Sequence, residues 1–269
     1  MFADLPSVTV LPAGVRVTWG DFSQVVALLE LFRAARAVPA DWYVLLSGED
    51  YPVRPPEDLP TFLAATGADA LLEETRTEDR QQTRGDHGRS LYRFQYAAVP
   101  LLDALTARLG IREAVLRRAP ALARRLGVVS VRPRARGLAT LVGFRAPWHP
   151  FRHGLEPERS RNWFALDDRA LAALLDRLDR DPGLLRWYRR TLVPTEGLFA
   201  TVLRHTPGLT VHDGDLHWER WQGDAASPAE LGLDDLPAAV TSGAFFARKI
   251  TDAAVLDRLD ALVGPRATG

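Results

Sequence analysis

The sequence predicts an α/β fold. Three observations carry the prediction: short apolar runs of strand length, segments with one apolar helical face between them, and acidic, basic or aromatic clusters where those elements begin or end. The stretch DWYVLLSGEDYPVRPPEDL, residues 41–59, shows all three. Its apolar run, Trp42 to Leu46, suits a strand covered on both faces. It passes directly into Ser47-Gly48-Glu49-Asp50-Tyr51-Pro52, a polar strand end of the kind at which open α/β sheets bind ligands.

The elements follow in order. SVTVL (7–11) and VRVTW (15–19) read as short β segments. Asp21 or Ser23 can cap a helix over Val25 to Arg36, with Val25, Leu28, Leu29 and Phe32 on one face and Pro39 as its stop. After strand 42–46, Glu57-Asp58 open a helix that runs to Ala65, and Ala68 to Leu72 reads as a strand. Residues 73–90 are polar and read as a long loop, a class that is usually functional or mobile. Residues 100–126 are helical in pattern, broken near Gly110 and Pro120. A turn rich in Pro, Trp and His (APWHPFRHG) leads to a short strand around Trp163 to Leu166 and a helix from Asp168 to about Leu178. A helix from Thr195 to Arg204 ends at Pro207-Gly208, and TVHDG follows. Residues 240–247 read as extended, and Thr251 or Asp252 caps a last helix to about Val263. With no repeat and no linker, residues 1–269 read as a single domain.

Composition excludes several functions. The 269 residues carry zero formal net charge, so no global charge favours nucleic acid. Cysteine is absent, which removes disulfides and thiolate metal sites. No apolar run reaches the ~18 residues of a spanning helix, and the first residues do not read as a signal peptide. Cytoplasmic is the default compartment. Lys249 is the only lysine in an arginine-rich chain, a usage suggestive of a GC-rich bacterial genome. Residues 101–137 hold nine arginines against Asp103 and Glu113. That excess is either a solvated helix face or a contact for an anionic membrane surface or partner.

Four clusters carry polar chemistry: SGEDYP (47–52), RNWFAL (161–166), VPTEGLF (193–199) and SGAFFARKI (242–250). Glu196 falls in the first turn of a helix, where a carboxylate also simply complements the helix dipole. Arg248 and Lys249 follow two aromatics and are either solvent-facing charges or an anion clamp, in which arginine offers a fork and lysine a point charge. Trp163 is either a core residue or an apolar wall. His149 and His153 sit four apart, but two prolines argue against the helix that spacing needs; His212 and His217 lack a clear third ligand. RGD at 84–86 reads as chance, and neither a phosphate-binding Gly-rich loop nor a nucleophile elbow is present.

WGDFSQV (19–25), LLSGEDYP, NWFAL, LVPTEGLFATVL and FFARKI occur in one order. In that order they resemble the core-2/I-branching β-1,6-N-acetylglucosaminyltransferases and protein O-xylosyltransferases, over about residues 7–262. LVPTEGLFATVL and FFARKI are closest to the xylosyltransferase side and its bacterial relatives. The resemblance implies a GT-A-like fold, a UDP-sugar donor and an inverting, metal-independent transfer of N-acetylglucosamine or xylose to a glycan, protein or other hydroxyl acceptor. It implies Glu196 as the base, Arg248 and Lys249 as the ligands of the donor diphosphate, and Ser47, Gly48, Glu49, Asp50 and Trp163 as the sugar- and acceptor-facing set. No metal or other cofactor is expected.

Two departures qualify the resemblance. The residue before the tryptophan is acidic in some relatives and has been given the base role; here it is Asn162, which cannot act as a base at neutral pH. Family members also normally begin with a further βαβ segment, so the chain as given is expected to bind nucleotide weakly or fold poorly. A non-catalytic glycan- or nucleotide-binding remnant is therefore the alternative. A glycoside hydrolase using Glu49 or Asp50 with Glu196 is a third reading.

Overall fold

The computed structural model describes residues 5, 7–12, 14–73, 92–101, 108, 129–132, 140–214, 216–223, 225 and 227–264. The chain divides into two units, each assembled from three separate stretches. One takes residues 1–38, 75–159 and 172–205, the other 39–74, 160–171 and 206–269. The two units alternate along the sequence. The loop at 73–90, the helices at 100–126 and the arginines of 101–137 fall largely outside the described residues.

In the first unit, α1 (Ser23–Arg36) starts where expected: Asp21 Oδ1 accepts the Ser23 N–H at 2.8 Å. Its buried residues are Val25, Leu29 and Phe32, while Leu28 is only half-buried. Phe32 meets Phe199 edge-on, with centroids 5.4 Å apart. Phe199 belongs to α5 (Pro194–Arg204), nearly all of which is buried. Two helices precede it in sequence. The first, α3 (Asp168–Arg180), gives its first residues to the second unit and the rest to the first. The second, α4 (Pro182–Tyr188), is capped by Asp181, whose Oδ1 accepts the Leu184 N–H at 3.0 Å. Strands β4 (Phe94–Ala98), β5 (Val129–Arg132) and β6 (Leu141–Arg145) form an antiparallel sheet in the order β4-β6-β5. Tyr96 lies opposite Gly143, and a Cβ on that glycine would lie 2.5 Å from the tyrosine ring.

The second unit holds two sheets. The first has the order β1-β7-β3-β8, from β1 (Trp42–Val44), β7 (Phe164–Asp167), β3 (Ala70–Leu72) and β8 (Val211–Asp213). Its β1/β7 and β3/β7 pairs are antiparallel and β3/β8 is parallel. Helix α2 (Leu59–Ala65) covers it, with Leu63 packing on Leu71, Ala165 and Leu216. The second sheet has the order β2-β10-β9, from β2 (Tyr51–Pro52), β10 (Phe246–Arg248) and β9 (His217–Glu219). Helices α6 (Leu236–Thr241) and α7 (Ala253–Val263) close over it, burying Leu236, Ala239, Val255 and Leu259 against Val53, Ala247 and Ile250. Asp252 caps α7 as expected, its Oδ1 accepting the N–H groups of Ala254 and Val255.

Some expectations need correction. Neither 7–11 nor 15–19 forms a strand. Val10 is 59% exposed and Trp19 44% exposed, so these apolar residues pack on no sheet. Strand β1 is half-buried rather than covered on both faces, and among the described residues it stands at the edge of its sheet, paired with β7. Of the extended run at 240–247, the first two residues close α6 and only the last two belong to β10.

Gly197 marks where α5 approaches Tyr92. A Cβ there would lie 2.5 Å from the tyrosine ring, which is 1% exposed and cannot yield. Alanine would gain about 1 kcal/mol of helix propensity and lose about 1–3 kcal/mol to overpacking. Gly197→Ala is therefore expected to lower the urea midpoint and Tm. An unchanged or raised midpoint would show that α5 has room to move.

Candidate functional site

The register of the second sheet builds the site. Strand β9 runs parallel to β10 with His217 opposite Phe246 and Glu219 opposite Arg248. Alternation puts His217 and Glu219 on one face of β9, both buried, with Trp218 on the other. Strand β2 pairs with the other edge of β10, which draws the Ser47–Asp50 loop beside Arg248; the Ile250 N–H donates to the Glu49 carbonyl at 2.9 Å.

The strand-end loop closes on itself. The Ser47 N–H donates to Asp50 Oδ2 at 2.5 Å, the Asp50 N–H to the Ser47 carbonyl at 3.3 Å, and the Glu49 N–H to Ser47 Oγ at 3.2 Å. This is the local side-chain-to-backbone bonding that Ser and Asp favour in turns. Around Gly48, a Cβ would meet nothing within 4 Å. The Asp50 carboxylate points inward and is fully buried, with Arg248 Nε 3.1 Å from Oδ1 and His217 Nε2 3.5 Å from Oδ2. Glu49 stays 40% exposed and holds Lys249, with Nζ 3.0 Å from Oε2.

Glu73 follows β3 directly. Its N–H donates to the Trp163 carbonyl and its carbonyl accepts the Arg161 N–H, fixing both neighbours. Its buried carboxylate accepts the His217 N–H at 2.8 Å, lies 2.6 Å from Nδ1 of the same ring, and reaches Arg161 Nη1 at 3.2 Å. Arg161 also donates to Glu219, whose other oxygen accepts the Trp221 indole N–H at 2.7 Å. The Arg248 guanidinium lies 4.1 Å from the Trp163 ring centroid, a cation–π contact. The peptide bond between Arg248 and Lys249 is cis.

These contacts shift two titrations. Burial opposes the charge on Asp50, but His217, the Ser47 N–H and Arg248 outweigh it and hold the carboxyl below its ordinary value. Burial likewise opposes the His217 imidazolium, yet contact with the Asp50 and Glu73 carboxylates raises its value.

Of the residues singled out from the sequence, Ser47, Gly48, Glu49, Asp50, Trp163, Arg248 and Lys249 meet in the second unit. Glu196 is in the first. There Arg159 donates from Nε and Nη2 to Glu196 Oε2 at 3.0 and 2.8 Å, and the two side chains are 15% and 18% exposed. Three residues earlier, Val193 has φ 43°, a left-handed conformation that a β-branched residue adopts only under constraint. Its N–H donates to the Gly20 carbonyl and its carbonyl accepts from the Tyr92 hydroxyl. The helix start carrying Glu196 is thus tied to the segment WGDFSQV.

Sequence reading missed Glu73, Arg161 and Glu219 and set His217 aside as an incomplete metal ligand. One signal could have found two of them. LHWER is apolar-rich, and alternation puts its histidine and glutamate on one face of a strand. Among the described residues, no group of three or more His, Asp or Glu side chains is arranged to hold a metal ion.

Mixed sheets flanked by helices make this an α/β protein of the GT-A-like class. The Core-2/I-Branching enzyme family model matches residues 1–123, which include WGDFSQV, the Ser47–Asp50 loop and Glu73. Over those residues the chain is similar to the Core-2/I-Branching enzymes, a family of glycosyltransferases that work between a sugar donor and an acceptor. Trp163, Glu196, Arg248 and Lys249 lie beyond the matched stretch. No curated protein matches the chain. Among the described residues, no helix is long and apolar enough to cross a membrane.

Asp50 has a testable signature. Its folded value lies below the ordinary carboxylate value of 3.8, so its contribution to stability is present above that value and lost as pH falls through the folded one. Asp50→Asn should flatten that acid limb in urea titrations. It should also cost about 3–5 kcal/mol at neutral pH, because it removes the nearer buried counter-charge of Arg248 and leaves Glu219 at 3.8 Å. A variant as stable as wild type would mean that Glu219 alone neutralises the arginine.

Proposed function

We propose that the protein is an inverting glycosyltransferase that moves N-acetylglucosamine or xylose from a UDP-sugar to a hydroxyl of a glycan, protein or other acceptor without a metal ion. One observation carries this reading. Arg248 and Lys249 stand together at the end of β10, and the exposed partner of Lys249 is Glu49 of the strand-end loop. A diphosphate can displace a 40%-exposed carboxylate from Lys249, since an exposed ion pair is worth at most about 1 kcal/mol. It cannot readily displace the fully buried Asp50 from Arg248. Arg248 therefore supplies a fixed charge and Lys249 a mobile one. Together they offset the charge that develops on the departing UDP, the task a divalent cation performs in other enzymes. The metal-free reading is supported by the pairing of Glu49, Asp50, Glu73 and Glu219 with cationic side chains.

Glu196 is the proposed base. Its carboxylate is held by Arg159 at a helix start whose backbone is constrained at Val193, which favours a fixed orientation for taking the acceptor proton. Asp50, though read from the sequence as sugar-facing, serves here to position Arg248. Gly48 leaves open space beside the loop for sugar hydroxyls, with Ser47 next to it. The buried Asp50 weighs against a paired-carboxylate hydrolase that uses it. The arginine excess at 101–137 supports placement at an anionic membrane face in the cytoplasm, where UDP-sugars are made.

Two measurements test the reading. Calorimetric titration with UDP in excess EDTA should show binding that Lys249→Ala weakens about tenfold or more, as expected for a charged hydrogen bond worth about 1.5–3 kcal/mol. Unchanged affinity would remove the clamp. Glu196→Gln should leave UDP affinity intact and lower kcat by about 10²–10⁴. A normal kcat would pass the base role to another residue.

A further inference from the structure

We infer that His217 is a positioning residue: as a buried imidazolium it closes a ring of six alternating charges that holds the Arg248 guanidinium in place for the donor diphosphate. The role assigned to Arg248 rests on the function proposed above. The ring itself does not.

The ring can be followed atom by atom. Asp50 Oδ2 lies 3.5 Å from His217 Nε2, and His217 Nδ1 lies 2.6 Å from Glu73 Oε1. Glu73 Oε2 lies 3.2 Å from Arg161 Nη1, and Arg161 Nη2 binds Glu219. Glu219 Oε1 lies 3.8 Å from Arg248 Nη1, and Arg248 Nε lies 3.1 Å from Asp50 Oδ1, which closes the circuit. The three carboxylates and the imidazole have side-chain exposures of 0%, and the two arginines of 13% and 11%. Glu49 pairs with Lys249 at the edge of the ring and also lies 3.8 Å from Arg248 Nη2; as a half-exposed acid already matched by Lys249 it stays outside the buried charge count.

Two physical arguments assign the proton. A neutral imidazole has one N–H donor and one lone pair, whereas a carboxylate only accepts. Both ring nitrogens of His217 face a carboxylate oxygen, so either neutral tautomer would aim one lone pair at another. The ring cannot turn away, because it is packed between Trp163 and Phe246, with centroids at 5.2 and 5.3 Å. Nor can Glu73, whose Oε1 is also held by the His217 N–H. The second argument is charge count. Asp50, Glu73 and Glu219 balance Arg161, Arg248 and a protonated His217. With neutral His217 the ring carries one uncompensated negative charge in a buried setting, which is expensive. Asp50 Oδ1, Glu73 Oε2, His217 Nε2 and Arg248 Nε have ion-pair neighbours without hydrogen-bond geometry. The sum of charge therefore counts for more here than any single directional bond.

Loss of the proton should weaken anion binding in two ways. The surplus negative charge lies directly beside the proposed diphosphate site, and it draws Arg248 toward Asp50 and Glu219. The folded His217 value is raised, so its stabilising contribution is complete below the ordinary histidine value of 6.5 and is lost as pH rises through the folded value.

The test uses the whole chain, with UDP as probe, from about pH 7 upward, where a terminal phosphate with second pKa near 6 keeps constant charge. Imidazole nitrogen spectra are recorded in parallel; the chain has six histidines, and His217 is assigned by the signal lost in His217→Gln. At pH 7, both nitrogens of His217 are expected to be protonated. His217→Gln should weaken UDP about tenfold or more and flatten the decline in affinity at alkaline pH. His217→Gln/Glu73→Gln restores the balance of two anions and two cations and should recover most of the affinity, whereas a merely structural histidine would make the double variant worse than the single one. A neutral His217 at pH 7, or a double variant weaker than the single, overturns the proposal. If the single variant fails to fold, the wild-type nitrogen spectrum and the double variant still decide the matter. If wild type shows a protonated His217 but no UDP affinity, the ring stands and the nucleotide role of Arg248 falls.

Discussion

Burying the carboxylates of Asp50, Glu73 and Glu219 together is the constraint around which the second unit is organised. Each needs a cation within reach, and each cation must come from a different part of the chain. Parallel pairing of β9 with β10 supplies Arg248 opposite Glu219, and the backbone bonds of Glu73 supply Arg161. A shift of one residue in the β9 register would turn His217 and Glu219 to the opposite face and remove the links that join Asp50 to Glu73 and Arg161 to Arg248. The strand order follows as much from this electrostatic requirement as from apolar packing.

The same arrangement separates two duties that one arginine could not perform alone. Arg248 is enclosed by Asp50, Glu219 and the Trp163 ring, and so keeps its position whether or not an anion is near. Lys249 is held, among the described residues, by a half-exposed glutamate. A fixed charge lowers the reorganisation needed during reaction, while a releasable one admits and discharges the ligand. The single lysine of the chain stands where flexible reach is useful, and an arginine stands where a planar fork bridges two buried acids.

Much of this could be read from the residues, and the failures have physical causes. Helices α1, α2, α3, α5 and α7 announce themselves through caps and an apolar face, as Asp252 does for α7. The β-like runs at 7–11 and 15–19 misled because β propensity needs a partner strand to act on. The three-stranded sheet of the first unit went unread: Phe94–Ala98 and Leu141–Arg145 each bury only one residue, and a glycine stands opposite Tyr96. At the site, Ser47–Asp50, Trp163, Arg248 and Lys249 were legible because they stand in recognisable segments. Glu73, Arg161 and Glu219 were not, because a single acid or base beside a strand reads as ordinary surface until the fold shows what it faces. Asp50 and Glu49, adjacent in sequence and alike in chemistry, have opposite environments that only the turn at Ser47 distinguishes.

The interleaving of segments also sets a timetable for synthesis. Strand β3 is fully buried between β7 and β8, yet Leu72 precedes Phe164 by about 90 residues. At about 5–20 residues per second, the ribosome leaves Ala70–Leu72 without either neighbour for roughly 5–20 s. During that interval an apolar strand with two unpaired edges is available to any other nascent chain. The polar stretch from Glu73 to Ser90 emerges directly behind it and carries many charges of both signs. A flank of that composition opposes edge-to-edge association, so its sequence serves the protein before the sheet exists to be finished.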